Sequence, residues 1–210
     1  MRDPGRPIIG PMREPMSRDA RLALDLALTI RHDGSGGVTD DLTEPADLTA
    51  WVRAHPEVLP DTGRFTASPE QLAAVRELRA AVRALFARAV RPGAPSPADA
   101  ARLLPVPEAV RLLNEAAART PTVPVLDWPD EAAPVAHRRP VRPDDELTSS
   151  LAHAVIAFLA SPERERLRAC HAPRCVRYFL KEHARQEWCK PSCGNRARVA
   201  RHHQRHKATA

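Results

Sequence analysis

CHAPRCVRYFLKEHARQEWCKPSCGNR, residues 170–196, contains all four cysteines of the chain. They form two close pairs, Cys170-x4-Cys175 and Cys189-x3-Cys193, with thirteen residues between the pairs. Two such pairs, each on one tight turn, can converge tetrahedrally on a single zinc ion, which is soft enough to prefer four thiolates. Disulfides and unliganded thiols are the competing readings. A reducing cytosol disfavours the first. The second leaves unexplained why all four cysteines fall within twenty-four residues. One structural Zn2+ is therefore expected on Cys170, Cys175, Cys189 and Cys193, with no open coordination position for a catalytic water.

The residues around the pairs extend this reading. Val176-Arg-Tyr-Phe-Leu180 reads as a strand and Glu187-Trp188 as its short partner, with residues 181–186 turning between them. Ser192 is the expected cap of a helix starting at Cys193, where backbone amides stabilise a thiolate. Along that helix Arg198, Arg201, His202 and Arg205 share an arc of about 100°. With Lys207 they make the expected nucleic-acid-binding surface. Arg196 lies on the opposite side beside Val199 and Ala200, and two roles stay open for it: structural packing or nucleic-acid contact. Tyr178, Phe179 and Trp188 read as the finger's small core rather than as a base-stacking platform.

Charge separates the same segment from the rest. The formal net charge is +6, yet residues 163–210 hold thirteen Lys and Arg against four Asp and Glu, a local +9. The preceding 162 residues carry nineteen positive and twenty-two negative side chains, a local −3. A basic appendage on a mildly acidic body points to a polyanionic partner. DNA is the first reading. Structured RNA or an acidic protein is the alternative, and an enzyme or a finger nuclease built on His183 and Asn195 is the second alternative. No apolar run reaches the roughly eighteen residues of a membrane span. The first sixteen residues carry four prolines and no signal-peptide pattern, so a cytoplasmic protein is expected, nucleoid-associated if it binds DNA.

Upstream, the hydrophobic content of 43% supports a real core, and 22 Pro against 8 Gly with one Tyr argue against an all-β fold. Residues 1–16 read as a frayed tail. Residues 18–31 read as a buried helix, closed by a flexible loop over residues 32–37. Pro45 opens a helix that places Leu48, Trp51 and Val52 on one face. Ser68-Pro-Glu-Gln71 is a capping box, followed by Leu72, Val75, Leu78, Val82, Leu85, Phe86 and Ala89 at steps of three and four until Pro92-Gly93. Ser96-Pro97 and Pro107-Glu108 open two further short helices. Five prolines interleaved with apolar residues between Thr120 and Arg142 predict a proline-edged hairpin. Asp144-Asp-Glu146 then starts a helix whose inner face is Leu147, Leu151, Val155, Phe158 and Leu159, and Ser161-Pro162-Glu163 caps a last turn. Asp25, on a mostly apolar helix, needs a partner, and Arg21 four residues earlier is the local candidate. The sharper reading makes Asp25 a wall of an effector pocket between helices. No nucleotide fingerprint, phosphate loop or catalytic constellation is present in this body.

Cys193-Gly194-Asn195-Arg196, preceded by Trp188-Cys189 and followed by a basic helix, resembles the CGNR zinc finger. The body, through Leu22-Ala-Leu-Asp25 and Asp47-Leu-Thr-Ala-Trp51, is similar to the ABATE domain that precedes such fingers. The resemblance implies a stress-induced transcription regulator that binds DNA and is not an enzyme. Gly194, Asn195, Arg196 and Trp188 are then its structural motif. The expected fold is mostly α: a tail over 1–16, a helical body with a minor β-hairpin over 17–162, and a treble-clef-like finger with a short hairpin and a basic helix over 163–210. The charge split and the Ser161-Pro162 break further predict a body that folds without its finger.

Overall fold

Ser68 starts the longest core helix as the capping box requires: its side chain accepts from the Gln71 N–H, and Gln71 returns a bond to the Ser68 N–H. The computed structural model describes residues 15–35, 37–59, 61–99, 103–141 and 146–208. In the body, helices run over Arg18–Ala27 (α1), Pro45–Arg53 (α2), Pro69–Ala89 (α3), Val106–Ala118 (α4) and Glu146–Ala160 (α5). Short 3-10 turns occupy Pro97–Asp99 and Pro162–Arg166. Helix α3 packs on α4, and α5 packs on both α1 and α4. The apolar stripe of α3 is buried from Leu72 to Phe86, and Leu147, Leu151, Val155 and Phe158 of α5 close over it. Among the described residues no helix is long and apolar enough to cross a membrane.

Three antiparallel hairpins complete the chain: Ile30–His32 (β1) with Val38–Asp40 (β2), Thr122–Asp127 (β3) with Val135–Pro140 (β4), and Leu167–Ala169 (β5) with Tyr178–Leu180 (β6). The proline-edged hairpin is thus present. The first hairpin replaces the expected end of the 18–31 helix and the loop after it. Helix α1 stops at Ala27 because Thr29 turns back, its Oγ1 donating to the Leu26 carbonyl. Buried Arg79 then receives that region from afar, donating to Thr29 Oγ1 at 2.9 Å and to both Asp40 oxygens. Burial pushes the Asp40 carboxyl up, but the Arg79 bonds and the Leu42 N–H outweigh it and hold it below its ordinary range. Most of the expected tail, residues 1–14, lies outside the described residues, as do Asp144 and Asp145.

The finger's hairpin also pairs differently from expectation. Strand β6 pairs with β5, upstream of the first cysteine pair, and residues 187–188 form no strand. The tight Cys170–Cys175 turn therefore sits between the two paired strands, closed by Cys170 N–H to the Arg177 carbonyl at 2.9 Å. The alternation of β6 then joins the two parts of the chain. Tyr178 and Leu180 enter the body core with Leu167 and Ala169, while Phe179 packs among the cysteines. A body that ends before the finger would lose four members of its own core.

Candidate metal centre and nucleic-acid interface

The first cysteine pair comes from the β5–β6 turn, where Arg174 adopts a left-handed φ of 62°. The second comes from the start of the helix Pro191–Ala208 (α6), with Cys193 N–H bonded to the Lys190 carbonyl at 3.0 Å. The helix begins two residues before the expected start, with proline in first position, so Ser192 lies within its first turn rather than capping it. All four Sγ atoms lie within 4.8 Å of one another, and Cys170, Cys175 and Cys193 are buried. Cys175 Sγ stands 3.7 Å from Cys189 Sγ, which stands 3.5 Å from Cys193 Sγ. A disulfide needs about 2.05 Å. A tetrahedron of sulfurs about 2.3 Å from zinc has edges of about 3.8 Å. The set therefore fits a tetrahedral thiophilic metal and not a disulfide.

Protonation supports the same fit. Hydrogen bonds from Cys175 and Cys189 pull the Cys170 thiol down, while the same bonds push Cys175 and Cys189 up. A divalent cation would relieve this competition, because metal-bound thiols are deprotonated.

Each residue of Cys193-Gly-Asn-Arg196 now has a place. Arg196 folds back, donating through Nη2 to Cys193 Sγ at 3.2 Å and through Nε to the Pro173 carbonyl at 3.1 Å, so it ties the two cysteine turns together. Asn195 Oδ1 accepts from Arg198. Gly194 lies under Trp188: a Cβ there would meet Trp188 Cδ1 at 3.0 Å. Gln186 fixes the backbone beneath the indole by donating to the Trp188 carbonyl at 3.2 Å. Gly194→Val is therefore expected to cost about 1–3 kcal/mol through overpacking. Faster release of metal to a chromophoric chelator checks this, and an unchanged release rate contradicts it.

Helix α6 buries Cys193 and Ala197 and leaves Arg198, Arg201, His202 and Arg205 exposed. The expected stripe therefore faces away from the finger's interior. The side chain of Lys207 lies outside the described residues. Asp25 is half-buried, and its partner is His55 rather than Arg21: His55 Nε2 lies 3.5 Å from Asp25 Oδ2. That bond pushes the imidazole up, and Trp51 stacks on the ring at 4.1 Å. Asp25 also lines a cleft of about 460 Å³, between α1 and the finger rather than between helices.

Sequence reasoning missed the polar joint between body and finger. Arg83 of α3, 5% exposed, donates bidentately to Asp99 at 2.7 and 3.0 Å and to the Ala27 carbonyl at 2.6 Å. Asp99 also accepts from the Tyr178 hydroxyl at 2.7 Å, and Ser96 Oγ donates to the Val176 carbonyl at 2.8 Å. Burial, and then the Asp99 charge, push the Tyr178 phenol up, so it stays a donor. The available signal was positional: Arg79 and Arg83 lie among the stripe residues Val75, Val82 and Phe86.

A sequence profile of the ABATE family, described as "Putative stress-induced transcription regulator", matches residues 20–162. A profile of the CGNR zinc finger matches residues 166–206. No curated protein matches the chain.

Proposed function

The chain belongs to the ABATE family, whose profile covers most of its length, and ends in a CGNR zinc finger; from this we propose that it is a DNA-binding transcription regulator. One zinc ion, held by Cys170, Cys175, Cys189 and Cys193, fixes the start of α6 on the body. Four protein sulfurs leave no position for water, so the metal is structural and the protein is not a zinc hydrolase. The helical body is the effector or interaction module, and the protein acts in the cytoplasm at the nucleoid.

The observation that carries this reading is the exposed stripe Arg198, Arg201 and Arg205, with His202 beside it, on the outward side of a metal-anchored helix. Such a helix suits a major groove, with its arginines set against phosphates. Each phosphate contact adds roughly 0.9 to the slope of log affinity against log salt. The variant Arg198→Ala/Arg201→Ala/Arg205→Ala is expected to lower that slope by about 2 to 3 and to weaken binding to specific and random duplexes alike. Arg196→Ala is expected to leave the slope of the folded protein nearly unchanged and to lower metal retention instead. An unchanged slope in the triple variant removes α6 from the interface. Preference for structured RNA over duplex DNA in the same titration would move the assignment to RNA.

A further inference from the structure

A second basic feature lies apart from the α6 stripe, where the β1–β2 hairpin of the body meets the two cysteine turns. It is a cleft of about 410 Å³, lined from the body by His32 and Gly34 and from the finger by Arg174, Arg177, Lys190 and Arg196. Arg31 also reaches it but is committed to Asp41, and Arg196 is committed to Cys193 and Pro173. None of the lining residues is acidic. Four zinc-bound thiolates would bring a formal −2 to the floor of the cleft at Cys175. Five lining cations less that charge, Asp41 and the adjacent Asp33 still leave a positive site. Among the described residues neither Arg177 nor Lys190 has an ion pair.

His32, which lines the cleft, also carries a buried ring nitrogen without a partner. The Gly34 N–H donates to His32 Nδ1 at 2.7 Å, which leaves the imidazole proton on Nε2. That Nε2 is buried and has no hydrogen-bond partner. Buried polar atoms are rarely left unpaired in a folded protein, and this one belongs to a residue that lines a cationic cleft. The body and the finger wall are held together across the cleft by Arg174, whose Nη1 donates to the Gly34 carbonyl at 3.4 Å.

We propose that this cleft binds a small phosphorylated ligand between the body and the finger. A phosphate group offers three oxygens and about two negative charges, which match the unpaired Arg177 and Lys190 better than the two oxygens and single charge of a carboxylate. The volume lies within the roughly 300–1,000 Å³ of small-molecule sites. Its concavity suits a ligand that enters, whereas a duplex backbone lies across a surface. Such a ligand contacts residues of both parts of the chain and so has the position from which an effector acts on a finger. The site stands whether or not α6 binds DNA.

The test uses the zinc-loaded full-length protein without nucleic acid, titrated calorimetrically with pyrophosphate at fixed ionic strength in chloride. One saturable site per chain is expected. Arg177→Gln and Lys190→Gln are each expected to weaken it at least tenfold, as is His32→Ala. Zinc content and circular dichroism establish that each variant is folded; the exposed Lys190 is the change least able to disturb the fold. The α6 triple variant is expected to bind pyrophosphate as the wild type does. Absence of saturable binding overturns the proposal, as does loss of binding in the α6 variant but not in the cleft variants. If pyrophosphate fails to bind while the cleft variants weaken duplex binding, the cleft is a backbone contact, and the small-ligand proposal is overturned with the DNA-binding reading intact.

Discussion

Arg83→Met is expected to destabilise the full-length chain by about 3–5 kcal/mol, the usual cost of removing one partner from a buried ion pair. Arg83 and Asp99 have side chains only 5% and 7% exposed, and their bonds are bidentate. Methionine fills much of the same volume but leaves Asp99 buried without its counter-charge. The carbonyl of Ala27 loses a donor, and that of Val176 keeps only Ser96. The loss is therefore mainly the desolvation of groups left behind, not the net worth of the pair. The double change Arg83→Met/Asp99→Leu is expected to recover a large part of it, because it removes the stranded charge as well. Urea unfolding followed by circular dichroism measures both. Because Tyr178 and Val176 belong to the finger, metal release should accelerate in Arg83→Met and slow again in the double variant. A loss below about 1 kcal/mol for the single change would mean that the joint between body and finger is made by apolar packing alone.

What could be read in advance follows from how local each signal is. The cap at Ser68 and the stripe of α3 are set by residues within one helix, and the cysteine pairs by a spacing of a few positions; all are present where the residues indicate. The end of α1 is different. Residues 28–31 continue the helical spacing of apolar side chains, and the turn at Thr29 that ends the helix is held by Arg79, fifty residues away, bonding Thr29 and Asp40. Strand β5 has three residues and no periodicity to read, so Leu167–Ala169 gave no sign of pairing with Tyr178–Leu180. Glu187-Trp188 is the neighbour nearer in sequence, but Trp188 is occupied in covering Gly194. Arg83 was passed over for a related reason. An arginine on an amphipathic helix reads as surface until its angular position within the stripe is weighed, and its acceptors come from three separate segments. The cleft beside the finger was hidden because His32 and Arg177 are brought together only by the tertiary fold.

Removal of zinc is expected to have the largest effect, and to confine it to one side of strand β6. Structural zinc in finger peptides contributes apparent binding energies of about 10–16 kcal/mol, which is folding energy for whatever the metal holds. Here it holds α6 and the loop over residues 181–190. Helix α6 has few apolar contacts, since Cys193 and Ala197 are its buried side chains among those described. Its arginines repel one another, and helices in proteins draw most of their stability from tertiary packing, of which α6 has little. The hairpin β5–β6 is anchored independently, because Leu167, Ala169, Tyr178 and Leu180 lie in the body core and the Tyr178 hydroxyl bonds Asp99. Purified protein should contain about one equivalent of zinc by elemental analysis, and Cys193→Ser should lose it. In that variant, amide exchange is expected to become fast from residue 182 onward, while Leu167–Ala169 and Tyr178–Lys181 stay protected and the body still melts cooperatively. Duplex binding should fall together with the helix. Protection of α6 in the metal-free protein would show that apolar packing suffices to hold it. Collapse of the whole chain on metal removal would show instead that β6 transmits the loss of the metal centre into the body.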